Sequence, residues 1–457
     1  MVVDAAAPKD AAVAVTETGR LSTGVKIGYG AGDLAVNLAL NVTAMYMLYY
    51  YTDVFAITAA AAGFILLFAR MGLGFLDPFI GHLSDRVNTR WGKKRPFLLF
   101  GAIPLGICSS LLFFSPDFGH TAKLVWAAAT FTFFFICVSL VNIPYTALAP
   151  ALTRDIHERS SLAGYKVVFA VAGTLFAAGA TKPLVHLFPT EIAGFRFVGW
   201  FYGIIMVLAM LIPFFTVQEN RAVMAGIPYS TGFGFRNVLG NRPFIIMAVS
   251  TTLFQTAMNT LAAMVAFYFK YNLQAENLIP LAFVVLLVSA TGMVPFYVRL
   301  SRRRGKKYTY LLGMTIFAAT LVLLFFIGTL SPRATVVAMI PAGIGLSTVF
   351  LSPWAILPDV VEYHHWQTGE RREGAIYGLF FLCLKFSAAL AGFICGMGLD
   401  ISGFLPNVAQ APAALMGLRL LMTLVPAGFI IVGIFTFTRF PINEALYRRM
   451  LRDMDER

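Results

Sequence analysis

Charge is scarce in this chain of 457 residues: Asp, Glu, Lys and Arg together make up 12%, against 58% hydrophobic residues. That shortage excludes an ordinary soluble protein, because no single core would hide so much apolar side chain. Mean hydropathy is +0.76, and the solvent that suits it is a bilayer. Acidic residues are the scarcer sign, 22 against 35 Lys and Arg, for a formal charge of +13. The surplus cations sit in short clusters between apolar runs, as in loops beside anionic lipid, so nucleic acid is not the expected partner. Cysteine is rare too. Cys108, Cys137, Cys383 and Cys395 all fall inside apolar runs, which excludes a disulfide scaffold and leaves reduced packing residues. Phosphate loops, zinc-protease motifs, nucleophile elbows and dinucleotide fingerprints are missing from any supporting context, so neither an enzyme nor a cofactor is expected. Asp359, Glu362, His364 and His365 cluster, but the adjacent His pair lacks ligand spacing and no metal is expected there. Residues 1–24 have no signal-peptide core and are expected to form a disordered cytoplasmic tail.

Apolar runs of spanning length are what the chain has in quantity. They lie at about 25–51, 57–83, 96–115, 122–150, 162–187, 195–216, 243–270, 277–299, 308–329, 333–358, 375–401 and 412–438. Twelve runs predict an all-α membrane protein. Alternate loops and tails on one side hold 26 of the 35 Lys and Arg, and the other side's loops hold 6. The positive-inside bias therefore predicts both termini in the cytoplasm of a multi-pass inner-membrane protein. Pro78 to Arg86 recurs as Pro295 to Arg303, and Trp91-Gly92-Lys93-Lys94 is echoed by Arg304-Gly305-Lys306-Lys307. The repeat predicts two parallel six-helix halves, residues 25–216 and 243–440, joined by a cytoplasmic linker over 217–242 and followed by a tail over 441–457. Solute is then expected between the halves near the midplane.

Charges inside the spans point to the working parts. An ionised side chain at the bilayer centre costs about 2.5–3.5 kcal/mol on insertion scales, so Arg70, Asp77, Lys166 and Lys385 need partners or a wet cavity. Asp33, Asn37 and Asn41 form a stripe on the first helix, and Thr252, Gln255 and Asn259 form one on the seventh. Either stripe lines a cavity or ties helices together. Trp354 would stack on a solute or pack behind Pro353.

Several motifs together resemble the glycoside–pentoside–hexuronide:cation symporters, the melibiose permease group of the major facilitator superfamily. They are Gly30-Ala31-Gly32-Asp33, Tyr50-Tyr51-Thr52-Asp53, Ala69-Arg70 with Leu76-Asp77-Pro78, Gly81-x-x-x-Asp85-Arg86, Arg90-Trp91-Gly92-Lys93, Asn142-Ile143-Pro144-Tyr145, Pro358 to Tyr363, Gly369 to Gly374, and Lys385. The resemblance implies the major facilitator fold, alternating access, and a cation site on the second helix beside Lys385. It gives Asp77, Lys385 and Arg70 as cation-coupling residues, with Arg70 either pairing an acid at the external mouth or clamping the bundle. Asp85, Arg86 and Arg90 become a cytoplasmic gate.

Departures from the family pattern matter as much. Gly72-Leu73 stand where the family has Trp-Asp, which removes one carboxylate of its sodium site. A lone Asp is a poor sodium cage but can carry a proton. The positions matching the family's sugar-binding residues are Asn37, Asn142, Thr146 and Lys166, so a galactoside held by carboxylates is not expected. Gln255, Asn259 and Trp354 complete the expected solute site. The expected function is secondary transport of a sugar or glycoside by a monomer, coupled to H+ rather than Na+. Asn142 to Leu148 also resemble the animal lysophospholipid symporters, which leaves a lysolipid or other amphiphile as the alternative solute.

Overall fold

The computed structural model describes residues 21–87, 89–148, 152, 156–219, 238–328, 331–369 and 373–455. The expected tail before residue 21 and the linker over 220–237 lie outside the described residues. One half comprises α1 (Thr23–Tyr49), α2 (Ala59–Arg86), α3 (Arg95–Leu112), α4 (His120–Thr146), α5 (Ile156–Val185) and α6 (Glu191–Thr216). The other comprises α7 (Arg242–Phe267), α8 (Ile279–Arg304), α9 (Lys306–Ile327), α10 (Pro332–Thr368), α11 (Glu373–Ile401), α12 (Pro412–Met422) and α13 (Leu424–Thr438), and α14 (Glu444–Asp455) follows. Among the described residues, 11 helical segments are long and apolar enough to cross a membrane, and α2 adds the shorter apolar stretch Ala59–Gly72.

Local chemistry sets the helix ends. Ser22, Thr58, Thr190 and Asn241 each accept a hydrogen bond from the N–H three residues on, which satisfies a first-turn donor. Pro96, Pro243, Pro280, Pro332 and Pro412 occupy first turns, where a missing N–H costs nothing. The twelfth apolar run is broken into α12 and α13 at Thr423, because Pro426 has no N–H to return to Met422. α10 continues past the expected end at 358 to Thr368, where Gly369 at φ +71° closes it.

The repeat read from the sequence has a structural counterpart. Gly92 at φ +106° and Gly305 at φ +84° turn the chain into α3 and α9. A cation just beyond each glycine caps the last helix of its own half. Arg95 donates to the Phe214 carbonyl through Nε at 3.0 Å and Nη2 at 2.6 Å. Lys307 donates to the carbonyls of Thr438 at 2.6 Å and Phe440 at 2.7 Å. At the opposite end, α1 and α7 both finish in a π turn, Tyr50–Val54 and Tyr268–Asn272. Left-handed residues follow both turns, Ala56 at φ 59° and Gln274 at φ 51°. Extra residues squeezed into a helix in this way often mark functional positions.

The halves meet along α2 against α11, α1 against α7 and α5 against α8. Glycine lets α2 and α11 touch backbone to backbone: a Cβ on Gly396 would sit 2.4 Å from the Ala59 carbonyl oxygen. α14 returns against α10, where Trp366 Nε1 donates to Asp453 Oδ2 at 3.1 Å.

At the end of the molecule that holds the chain termini, Glu219 follows α6 and accepts three backbone N–H bonds. Lys93 donates at 2.8 Å, Lys94 at 2.6 Å and Arg95 at 3.0 Å. Glu219→Ala strands all three donors and is expected to cost about 1–3 kcal/mol. The check is a melting temperature in detergent. A loss of several degrees is expected, and an unchanged value would show that the carboxylate holds nothing.

Candidate functional site

Mid-membrane, between the halves, lies a cavity of about 580 Å³, within the range of small-molecule sites, roughly 300–1,000 Å³. Five of its polar groups are amides: Asn37 and Asn41 of α1, Asn142 of α4, and Gln255 and Asn259 of α7. Helical spacing of three and four residues aligns each stripe on one face. Three of the amide nitrogens are committed locally. Asn37 donates to the Asp33 carbonyl at 3.0 Å, Asn41 to the Asn37 carbonyl at 2.8 Å and to Thr174 Oγ1 at 3.1 Å, and Asn259 to the Gln255 carbonyl at 2.9 Å. Their side-chain oxygens accept no bond from any described residue, and all three residues line the cavity. Ser139 and Thr174 add hydroxyls, while Leu, Met and Phe side chains fill the rest.

Two cations reach the same cavity, Arg70 and Lys385. Lys385 of α11 forms an ion pair with Asp77 Oδ2 of α2, and Asp77 Oδ1 is buried without a partner. Arg70 Nη1 donates to the Ala388 carbonyl of α11 at 3.2 Å. Its guanidinium lies 5.1 Å from the Phe135 ring centre and 5.7 Å from that of Phe131. No described carboxylate comes within ion-pair distance of Arg70. The expected acid partner at an external mouth is therefore absent among the described residues, and the contact that Arg70 makes across the halves is the one to α11.

Three expected solute residues stand elsewhere. Thr146 is exposed, and its hydroxyl donates back to the Asn142 and Ile143 carbonyls at 3.0 and 2.9 Å. A threonine near a helix end closes on its own turn when no tertiary acceptor is nearer. Lys166 turns to α1, where its Nζ is 3.7 Å from buried Asp33 and 5.5 Å from the Tyr145 ring centre. Trp354 is 45% exposed and packs against Phe380 and Phe381, so of its two expected roles packing is the one observed. Of the gate residues, the Asp85 side chain lies outside the described residues. Arg86 is exposed, and the Arg90 guanidinium stacks 4.4 Å from the ring centre of its neighbour Trp91.

A second polar group, at the end far from the termini, was not foreseen. Lys270 leaves the α7 π turn and donates to Asp53 Oδ1 of the α1 π turn at 2.9 Å, to Tyr49 Oη at 2.7 Å and to Asn407 Oδ1 at 2.9 Å. Tyr271 also donates to Asp53, whose side chain is fully buried. Beside them, buried Lys182 of α5 bridges Glu191 at 3.1 Å and Glu276 of the other half at 3.0 Å, and His186 lies 3.3 Å from Glu276. Lys182 and Lys270 count in sequence only as orientation charges. The available signal was the alignment of Tyr50-Tyr51-Thr52-Asp53 with Tyr268-Phe269-Lys270-Tyr271 at nearly the repeat offset. Between described residues, the hydrogen bonds and ion pairs that join the halves lie at mid-membrane or at this far end.

Two helical halves around a central cavity, with charge pairs crossing between them, define a multi-pass membrane carrier of the major facilitator fold. A model of the family described as MFS/sugar transport protein matches residues 28–444, and the chain belongs to that family. It is a transporter and not an enzyme. It is 32% identical over 445 residues to the uncharacterized symporter YnaJ of Bacillus subtilis (strain 168), with 96% of each chain covered. It is 33% identical to the glucuronide carrier protein homolog of Escherichia coli (strain K12), again with 96% of each covered. Among solved structures, a D-xylose-proton symporter superposes with a TM-score of 0.70 at 13% identity, covering 92% of this chain and 98% of that one, which speaks for the fold.

The far-end network is expected to hold that end shut. Lys270→Gln leaves buried Asp53 uncompensated, at about 3–5 kcal/mol, and should shift the population towards a far-end-open state. Maleimide labelling of a cysteine introduced at Ala44, applied from the far side in sealed vesicles, is expected to rise severalfold. Unchanged labelling would mean that the network does not close the molecule.

Proposed function

We propose that this protein is a symporter that carries a sugar or glycoside across the inner membrane, driven by protons and not by sodium. The observation that carries the proposal is a band of amide side chains beside the Asp77–Lys385 pair, in a cavity between the halves. Amides and hydroxyls suit a solute rich in hydroxyl groups, since each buried polar group then finds a partner. Asn37, Asn142, Gln255 and Asn259 are assigned to the solute. Relatives named for symport and for a glucuronide support the same class, and none of those named favours the amphiphile.

Coupling is assigned to Asp77 and Lys385, with Arg70 at their side. Sodium wants several oxygen ligands. Here Leu73 supplies none, and one oxygen of Asp77 is already held by Lys385. A proton needs a single carboxylate oxygen, and protonating Asp77 releases Lys385. Proton and solute together would then change the contacts between α2 and α11, which is what a carrier requires of ligands that bind its two states unequally. The excess of Lys and Arg in alternate loops supports a cytoplasmic position for the termini and for the end bearing Glu219. On that orientation, bonds between the halves at the far end support an inward-facing reading of this state. The protein is proposed to act as a monomer.

Sugar uptake into proteoliposomes, with choline replacing sodium at fixed pH, tests the coupling. Uptake is expected to stay within about twofold and to collapse when the proton gradient is dissipated. A strict sodium requirement would overturn the proton assignment.

A further inference from the structure

The charges around the cavity do not cancel. Among the described residues that line it there are two cations, Arg70 and Lys385, and no Asp or Glu. Asp77 neutralises Lys385 from behind, which leaves Arg70 as the unmatched charge. Its surroundings are poor compensation: one backbone carbonyl and the faces of two phenylalanines. Its Nε is buried with no partner. A guanidinium presents five donors and has no neutral form to retreat to, so an empty cavity leaves several of those donors without a protein acceptor. Leaving such a charge unmatched in a membrane bundle is costly, and intramembrane charges of this kind characteristically serve the transported species.

We propose that the solute is an anionic sugar, a monosaccharide or glycoside bearing one carboxylate or sulfonate, and that Arg70 holds the anionic group while the amide band holds the hydroxyls. This rests on the sugar-transport reading above and narrows it. The anion sits against α2 and α11, because Arg70 bonds to Ala388 one turn beyond Lys385. The planar fork of arginine fits a carboxylate with two parallel bonds and also meets two oxygens of a sulfonate. An anion there neutralises the surplus charge of the cavity. The empty carrier is positive in this region and the loaded one is not, so solute binding itself favours closure of the low-dielectric halves around it.

The test uses full-length protein in detergent and calorimetric binding of three probes: methyl β-D-glucuronide, its neutral methyl ester and methyl β-D-glucoside, with the galacto epimers alongside. The wild type is expected to bind the acid about ten- to a hundredfold more tightly than the ester, the range of a charge-assisted pair. Arg70→Gln should lower acid binding to the level of the ester. Arg70→Lys should keep part of the preference. Equal binding of acid and ester by the wild type would overturn the anionic assignment and leave sugar transport standing, and this comparison needs no variant to fold. A preference that survives Arg70→Gln in a protein of wild-type melting temperature would overturn the role of Arg70. Failure of every sugar in both epimer series would overturn the sugar reading, and the anionic assignment with it.

Discussion

A carboxylate and an ammonium cannot be left singly in a helical bundle surrounded by lipid, and that constraint fixes how the two halves of this molecule meet. Asp77 is on α2 and Lys385 on α11, so neither half is electrically satisfied alone. Each charge lowers the cost of the other. The glycines that bring α2 and α11 into backbone contact, Gly63 against Gly392 and Gly396, are what allow the pair to lie side by side. The seam is close-packed towards the far end and charged in the middle, beside the cavity.

The far end works by the same physics with a different purpose. Asp53 is completely buried and is met by Lys270, Tyr271 and Asn407, all from the other half. Asp53 on one side and Lys270 with Tyr271 on the other come from π turns that end the first helix of a half, so one local device is used twice, and Asn407 is added from the segment before α12. The mid-membrane pair stands beside the cavity, which Lys385 lines.

Much of this was legible in the sequence, for identifiable reasons. Apolar runs, loop charges and the Pro78/Pro295 repeat report the bilayer directly, and the two helix-starting glycines, Gly92 and Gly305, follow from that repeat. The Asp77–Lys385 pair came from the family resemblance together with the cost of lone charges. What failed did so through side-chain direction. Thr146 and Lys166 are on suitable helices, but a hydroxyl can return to its own backbone, and a lysine can reach whichever neighbouring acid is nearest, here Asp33. Neither choice shows in spacing. The far-end network was hidden because loop cations read as orientation signals, and nothing in a linear sequence says which of them meet.

The central claim is that Asp77 and Lys385 form one unit that both joins the halves and couples transport. Melting temperature and solute accumulation measured on wild type, Asp77→Asn, Lys385→Ala and the double variant test it most directly. Each single change leaves a charge unpaired inside the bundle, and each is expected to lower the melting temperature and to abolish accumulation. The double variant is expected to recover most of the stability and none of the accumulation. Additive losses of stability would contradict the pairing, and recovered accumulation would contradict the coupling.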